Sequence, residues 1–491
     1  MGKPNILVIQ ADQHRYDCLG CTGNPDVRTP NIDAIAYDGT VYENAFCPYP
    51  VCTPSRFSFL TGLYVHQHMG WSNHCTVPAG LPTFPKILRE AGYRTKAVGK
   101  MHFTPTYLDV GFDEMLLAEQ HGTGRYDDDY HRYLRDHDLV DEIDLIDQER
   151  VYRRRAPQVY NDTLGAMVSN LDEEHHVTTW VGRHAVETLF SWEGGGNLLM
   201  ASFVPPHHPY VPPVPWHDMY DPAILTLLPG YTERCDSSDL RYSDGFFPND
   251  QWTEGQLRRV MAYYYASISQ IDHWVGRMID TLRAKDLYDN TVIVYNSDHG
   301  EYLGHRHMIG KGNRMYESLI RVPTIVKLAG EREREATSQD LVNTTDLAPT
   351  LLAAAGCERM ADMSGRDLSS DSDGRDVVFA EGSRGQEYMA RSKTRKLLLC
   401  EDDAFSSFFD LELDPEETTN LIKDPAYQDI IKNLKDALSR WILFETRTPV
   451  HVDEEAELCG GENVVPGREE DRAAMAKYLR EKIEPSLRSE S

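Results

Sequence analysis

The stretch YPVCTPSRFSFLTGLY, residues 49 to 64, places Cys52 two residues before Pro54 and four before Arg56. Pro54 suits the first turn of a helix, where its missing N–H would be unpaired in any case, so Cys52 is expected at a helix N-terminus. Such an end carries partial positive charge and free N–H groups, which lower a thiol pKa and attract anions. Arg56, one turn further on, adds a permanent positive charge. Read alone, the stretch leaves Cys52 balanced between a buried packing thiol and a reacting group.

Residues far away in the chain tip that balance. Asp12 and Gln13 close the run NILVIQADQ, and Asp298 and His299 close NTVIVYNSDHG. Two carboxylates, an amide oxygen and an imidazole are a ligand set for a divalent metal. Lys100 and His102 follow TKAVG, His207 follows NLLMASFVPP, and Lys311 lies in HMIGKGN. With Arg56 they form a cationic group suited to a tetrahedral oxyanion. The setting sharpens the contrast, because 78 Asp and Glu against 50 Lys and Arg leave a net charge of −28. That field repels nucleic acid and anionic membrane surfaces, so no nucleic-acid or membrane partner is expected.

These residues need elements to position them. The apolar runs at 5 to 13, 95 to 102, 197 to 209 and 290 to 300 read as buried strands, each delivering polar residues at its carboxyl end. Helical patterns at 81 to 93 and 253 to 286 lie between them, the second with Thr253 as N-cap. Strand and helix alternating imply an α/β domain with a mostly parallel sheet, whose ligands bind beyond the carboxyl ends of the strands. A Ser, Asp and Gly-rich shift at 362 to 376 marks a boundary. The expected organisation is a catalytic domain at 1–370, a smaller subdomain at 371–452 with antiparallel strands and a helix at 425 to 443, and a charged extension at 453–491.

Nine cysteines, an odd number without framework spacing, suggest reduced intracellular thiols. CLGC at 18 to 21 has the spacing of a zinc or redox pair but lacks a second pair, so loop thiols are the preferred reading. The start MGKPNILVIQADQ lacks the pattern of a signal peptide and no apolar run reaches membrane-spanning length, so a cytoplasmic location is expected.

The motifs resemble the sulfatase family of the alkaline phosphatase superfamily. The Cys-x-Pro-Ser-Arg signature stands at Cys52 to Arg56, followed in order by LTG at 61, GKMH at 99, SFVPPHHP at 202, SDHGEYLG at 297, GKG at 310, RVPTIV at 321 and FFDLELDPEETTNL at 408. The resemblance implies an alkaline-phosphatase-like fold: a large mixed, mostly parallel sheet flanked by helices, with a smaller C-terminal α+β subdomain. It implies sulfate monoester hydrolysis by Cys52 converted to Cα-formylglycine by a formylglycine-generating or anaerobic sulfatase-maturating enzyme. The hydrated aldehyde is a geminal diol, and its second hydroxyl lets the aldehyde re-form with loss of sulfate. By the same resemblance Asp12, Gln13, Asp298 and His299 bind the metal beside residue 52. Arg56 orients the diol, and Lys100, His102, His207 and Lys311 hold the sulfate group. His102 is the candidate base, and His207 or Lys311 the candidate acid on the leaving oxygen.

Gln13 and His299, where many sulfatases carry Asp and Asn, resemble the choline-sulfatase and phosphonate monoester hydrolase branch, in which Asn73 would sit near the oxyanion. Calcium is the family default, and His299 admits manganese. GKMH favours sulfate esters over phosphonate or phosphodiester substrates. The leaving group, expected to be a small sugar, choline-like or aryl sulfate, would be contacted by residues 121 to 138, by 215 to 252 and by strands near Glu381. The run at 121 to 138 also reads as a solvated surface face. Relatives in this branch often assemble through C-terminal extensions, so a homo-oligomer involving 453–491 is a further expectation.

Overall fold

The computed structural model describes residues 2–78, 80–120, 124–240, 247–330, 336–370, 374–446 and 470–488. Twelve strands form two sheets: β1 Asn5–Asp12, β2 Thr40–Phe46, β3 Arg94–Gly99, β4 Glu114–Leu117, β5 Asn197–Pro206, β6 Thr291–Ser297, β7 Thr324–Lys327, β8 Ala336–Asn343, β9 Val377–Gly382, β10 Glu387–Ser392, β11 Arg395–Cys400 and β12 Ser407–Asp410. The first eight make one sheet in the order β4-β3-β5-β1-β6-β7-β2-β8. Only β7 runs against its neighbours. The four runs expected as buried strands are β3, β5, β1 and β6, which lie side by side and parallel, so their carboxyl ends line up along one edge.

All eight residues of β1 are buried, as a central strand covered on both faces requires. Leu7, Ile9 and Ala11 face a core shared with the helices Val177–Ser191 and Glu254–Ala284. Ile6 and Val8 face the opposite core, which contains Phe57, Phe59 and Leu60 of the helix Cys52–Thr61. Asp12 belongs to the second set by the alternation of strand side chains, and so points toward that helix. The long helix starts where the sequence placed it: the Thr253 hydroxyl accepts from the Gln256 N–H and Gln256 reaches back to the Thr253 N–H.

The smaller sheet, β12-β11-β10-β9, is antiparallel throughout. One face shares a core with Phe46 at the end of β2 and with Tyr302, Met315 and Tyr316 of the large sheet's loops; the other packs on the helix Gln428–Arg440. The cores continue across the composition shift, whose residues 371–373 lie outside the described set. In the C-terminal extension, 447–469 likewise lie outside it. The helix Glu470–Arg488 docks on its own chain, with Met475, Leu479 and Ile483 in the core beside Leu145 and Tyr152, and Arg155 paired with Glu484 at 2.8 Å. This part of the tail therefore spends its apolar face within the chain. Among the described residues, no helix is long and apolar enough to cross a membrane.

Candidate active site

The helix Cys52–Thr61 begins at Cys52, and its ten residues are all buried. The Ser55 N–H makes the first helical bond, to Val51; Pro54, one position earlier, forfeits nothing by lacking a donor. Cys52 is thereby aimed at the carboxyl edge of the sheet. Its Sγ lies 3.2 Å from His299 Nε2, 3.1 Å from Lys311 Nζ and 3.7 Å from Asp12 Oδ1. Burial and Asp12 push the thiol pKa up, but Lys311, Lys100 and His299 together outweigh them and the net shift is down.

Arg56 ties the strand tips together. Its Nε donates to Asp298 Oδ2 at 2.8 Å, and its terminal nitrogens donate to Asp12 Oδ2 at 3.1 Å, the Lys100 carbonyl at 2.6 Å and Ser202 Oγ at 2.8 Å. Lys100 Nζ is 2.8 Å from the same Asp12 oxygen and donates to Gln120 Oε1 at 3.0 Å. Although burial favours the neutral acid, Lys100, His207, Arg56 and Lys311 hold Asp12 well below the usual carboxylate range. Both carboxylates therefore commit Oδ2 to cations of the protein. Their Oδ1 atoms face Cys52 and His299.

His299 Nδ1–H donates to the Gly300 carbonyl at 2.9 Å, which leaves the Nε2 lone pair toward the cluster. Burial lowers this imidazole's pKa, yet Asp298 and Cys52 pull it up and prevail. Ligand atoms of Asp12, Cys52, Asp298 and His299 lie within 4.8 Å of one another, all buried. Gln13 completes the set. Its Nε2 donates to Glu301, and its Oε1 is buried without a hydrogen-bond partner. An orphaned amide oxygen beside two carboxylates and an imidazole fits a divalent metal, with Asp12, Gln13, Asp298 and His299 as the protein ligands.

Two of these edge residues adopt left-handed backbone, Gln13 at φ 63° and His102 at φ 63°. Each follows a strand end where the chain must turn sharply to face the cluster. The Gln13 N–H is held by Asp298 Oδ1 at 3.1 Å and its carbonyl by the Tyr264 hydroxyl at 2.6 Å. Glu119 Oε1 accepts from the Met101 and His102 N–H groups at 2.9 and 2.8 Å, and the His102 carbonyl accepts from the Thr53 hydroxyl. Burial lifts Glu119 to about 7 against those two donors. Gly99 lets the strands close here, since a Cβ would stand 1.9 Å from the Ser202 carbonyl oxygen.

On the far side of Cys52, Lys311 Nζ donates to His207 Nε2 at 2.6 Å, and His207 Nδ1–H donates to the His208 carbonyl at 2.6 Å. Burial and the neighbouring Lys311 keep this histidine neutral, well below its ordinary pKa. Lys311 itself is pushed up: Cys52 and Asp12 overcome its burial. Asn73 enters through its side-chain oxygen, which accepts from the Thr53 N–H at 3.1 Å and so pins the start of the catalytic helix.

The structure thus joins the side chains of Asp12, Cys52, Arg56, Lys100, His207, Asp298, His299 and Lys311 in one contact network. Gln13 adjoins it through Asp298, and Asn73 and His102 attach through Thr53. Sequence reasoning missed Glu119, Gln120, Ser202 and Glu301. Glu301 stood inside the SDHGEYLG run and Ser202 opened the SFVPPHHP run, so both could have been found; Glu119 and Gln120 carry no local signal.

The expected leaving-group segments fare differently. In 121 to 138, of which residues 121–123 lie outside the described set, Asp128 binds His131 at 2.8 Å and Arg125 binds Asp144. Asp127, Asp128, Tyr130 and His131 are buried, so the run is a packed network rather than a solvated face. Glu381 is fully buried and receives His66 Nδ1 at 2.9 Å, so it is no longer available to a substrate. Within 215 to 252, Asp239 is consumed by Arg306 and Tyr316, and 241–246 lie outside the described residues. The CLGC thiols are free; burial pushes Cys18 well up and Cys21 to about 12, which disfavours thiolate ligation there.

Comparison with known proteins adds a separate line. A family model described as Sulfatase matches residues 4–357, and one described as N-sulphoglucosamine sulphohydrolase, C-terminal, matches residues 307–442. The chain is 31% identical over 473 residues to an arylsulfatase of Clostridium perfringens (strain 13 / Type A), covering 89% of this chain and 94% of that one. It is 28% identical over 457 residues to a choline-sulfatase of Rhizobium meliloti (strain 1021), covering 86% and 83%. The crystallised phosphonate monoester hydrolase from Silicibacter pomeroyi shares the fold, with a TM-score of 0.75 at 23% identity over 90% of this chain and 96% of that one.

Proposed function

The chain belongs to the sulfatase family and is a sulfuric ester hydrolase, and from that premise we propose that residue 52 acts as Cα-formylglycine beside one divalent metal ion to cleave an organic sulfate monoester. The overall reaction is ROSO3⁻ + H2O giving ROH and HSO4⁻. The observation that carries the reading is the convergence of His299, Lys311 and Asp12 on the Cys52 Sγ, at 3.2, 3.1 and 3.7 Å. A packing thiol has no use for such neighbours.

A divalent ion held by Asp12, Gln13, Asp298 and His299, calcium or manganese by its ligand set, would supply Lewis acidity to sulfate and to an attacking hydroxyl. The modification, once hydrated, supplies two hydroxyls on one carbon, one to attack and one to return the residue to the aldehyde. The chain's own residues do the rest. Arg56 holds Asp12 and Asp298 in register. Lys100 and Lys311 offer positive charge to the sulfate oxygens, and Asn73 and His102 line the same helix start. Lys311 is the donor for the leaving oxygen, and neutral His207, whose Nε2 accepts from Lys311 while its Nδ1–H is held by the His208 carbonyl, orients it. His102, whose backbone N–H is held by Glu119, is the base assigned to take a proton from residue 52. Because Cys52 is fully buried, the maturation enzyme would act before the chain closes around it.

Mass spectrometry of the tryptic peptide containing residue 52, on protein made in a host able to modify it, is expected to show the aldehyde. Cys52→Ala is expected to lower aryl-sulfate turnover by at least about 10⁴-fold with the fold intact. Full activity in that variant would sink the mechanism. A small sulfate ester, whether sugar, choline-like or aryl, in a cytoplasmic setting completes the proposal, and a substrate panel with cell fractionation checks it. Phosphonate monoesters and phosphodiesters present a similar tetrahedral monoanion, and the fold shared with a phosphonate monoester hydrolase keeps them as the second reading. A higher kcat/KM on those esters with the same metal would decide for it.

A further inference from the structure

Glu301 is completely buried and lies two residues beyond His299. Its carboxylate receives four donors, three of them from other segments and one from the nearby Leu303. Oε2 accepts from Gln13 Nε2 and, at 3.2 Å, from the Tyr210 hydroxyl; Oε1 accepts from the Leu303 N–H at 3.2 Å and from the Gly310 N–H. Gly310 directly precedes Lys311, and Tyr210 follows His207 by three residues. One carboxylate thus ties a metal-ligand candidate to both segments that carry the proton donors.

The chemistry of that contact fixes an orientation. The two ends of a glutamine amide are alike in shape, and only the neighbours decide which way it faces. A carboxyl that already accepts from two backbone N–H groups and the Tyr210 hydroxyl meets Gln13 as an acceptor too, so Gln13 must turn its NH2 group to Glu301. Its oxygen is then directed the other way, where it is buried and finds no protein donor. An amide nitrogen in that place could not ligate a cation; an oxygen can.

We propose that Glu301 is the positioning residue that makes Gln13 an oxygen ligand, and that it does so by hydrogen-bond polarity rather than by charge at the metal. This rests on the metal assignment made above. It explains why an amide serves where a carboxylate would also fit: a carboxylate at position 13 would place two acceptors against each other.

The test is a double-mutant cycle read as Mn²⁺ affinity, by calorimetry on chelator-stripped protein with free Mn²⁺ followed by electron paramagnetic resonance. Glu301→Gln keeps an oxygen for Leu303 and Gly310 but presents NH2 to Gln13, forcing that amide to flip. The Mn²⁺ Kd is expected to rise about 10- to 100-fold. Gln13→Glu alone is expected to weaken binding as well, by carboxylate repulsion. The exchange Gln13→Glu/Glu301→Gln restores a donor facing an acceptor with an oxygen toward the site, and its Kd is expected to lie closer to wild type than either single variant's. A merely structural Glu301 would lower stability without such rescue. If Glu301→Gln does not fold, comparing Gln13→Glu with the exchange tests the same polarity. An unchanged Kd in Glu301→Gln, or no rescue by the exchange, would overturn the assignment alone. Wild-type protein that binds neither Mn²⁺ nor Ca²⁺ would overturn it together with the metal reading beneath it.

Discussion

Both sheets bury charge, and they do so for opposite ends. In the small sheet Lys396 Nζ sits between Glu417 at 2.8 Å and Glu317 at 3.1 Å, with Arg391 3.3 Å from Glu317's other oxygen. Two cations and two anions alternate and cancel. At the edge of the large sheet, Arg56 and Lys100 take the Oδ2 atoms of Asp12 and Asp298, and Asp12 Oδ1 is kept for the space beside Cys52. Lys311 is set against the thiol instead of against a carboxylate. A packed charge network uses up its capacity internally, whereas a reactive one leaves selected atoms to meet a ligand. Removing a charge should therefore damage chemistry in one region and stability in the other.

The strongest way to break this comparison is Lys311→Ala. It removes the cation from Cys52 and the proton partner from His207, and is expected to lower kcat/KM about 10²- to 10³-fold. Its unfolding midpoint should scarcely move; a large loss of stability would put Lys311 in the packing class. Next in size is Lys396→Met, expected to cost about 3 kcal/mol in urea unfolding because it strands two buried carboxylates. The kcat of the folded fraction should stay as it is. The same variant sharpens the comparison by pH. Despite burial, Arg391 and Lys396 hold Glu317 down at about 2. The folded-state pKa thus lies below the unfolded value, so the stabilisation is present above about pH 4.3 and is lost as pH falls toward 2. Without Lys396 the acid-induced loss should begin at higher pH, as a urea-midpoint series from pH 6 down to 3 would record. The smallest effect belongs to His66→Ala, which removes the Glu381 Oε1 contact while the His66 N–H still reaches Oε2 at 3.2 Å. About 1 kcal/mol of stability should go, and kcat/KM for every ester in the panel should keep its rank order. Altered substrate preference would return Glu381 to the leaving-group site.

Much of the site was legible in the sequence. Asp12, Lys100, His207 and Asp298 each stand where a run of buried Val, Ile and Leu breaks into polar residues, and parallel strands bring such breaks to one edge. Cys52 and Arg56 were readable from Pro54, which marks a helix start. Gln120 and the pairing of Ser202 with Arg56 were not readable, because the partners lie at sequence separations of 20 and 146 residues and no local pattern encodes such a pairing. The packing of the run at 124–138 was hidden for a related reason. Asp, Tyr and His in 124–138 look like a hydrated surface by composition, and only packing shows that Arg125, Asp144 and Asp128 satisfy one another in the interior.

What the sequence determined by itself is which residue types arrive at the edge of the sheet, because strand period, helix caps and turn residues are local properties. What only the tertiary structure decided is which atom of each residue is free. Asp12 spends Oδ2 on Arg56 and keeps Oδ1, His299 spends Nδ1 on Gly300 and keeps Nε2, and Gln13 spends its nitrogen on Glu301 and keeps its oxygen. Most of those allocations follow from hydrogen-bond partners tens to hundreds of residues apart, and in a buried site an atom's partner determines whether it can ligate or react.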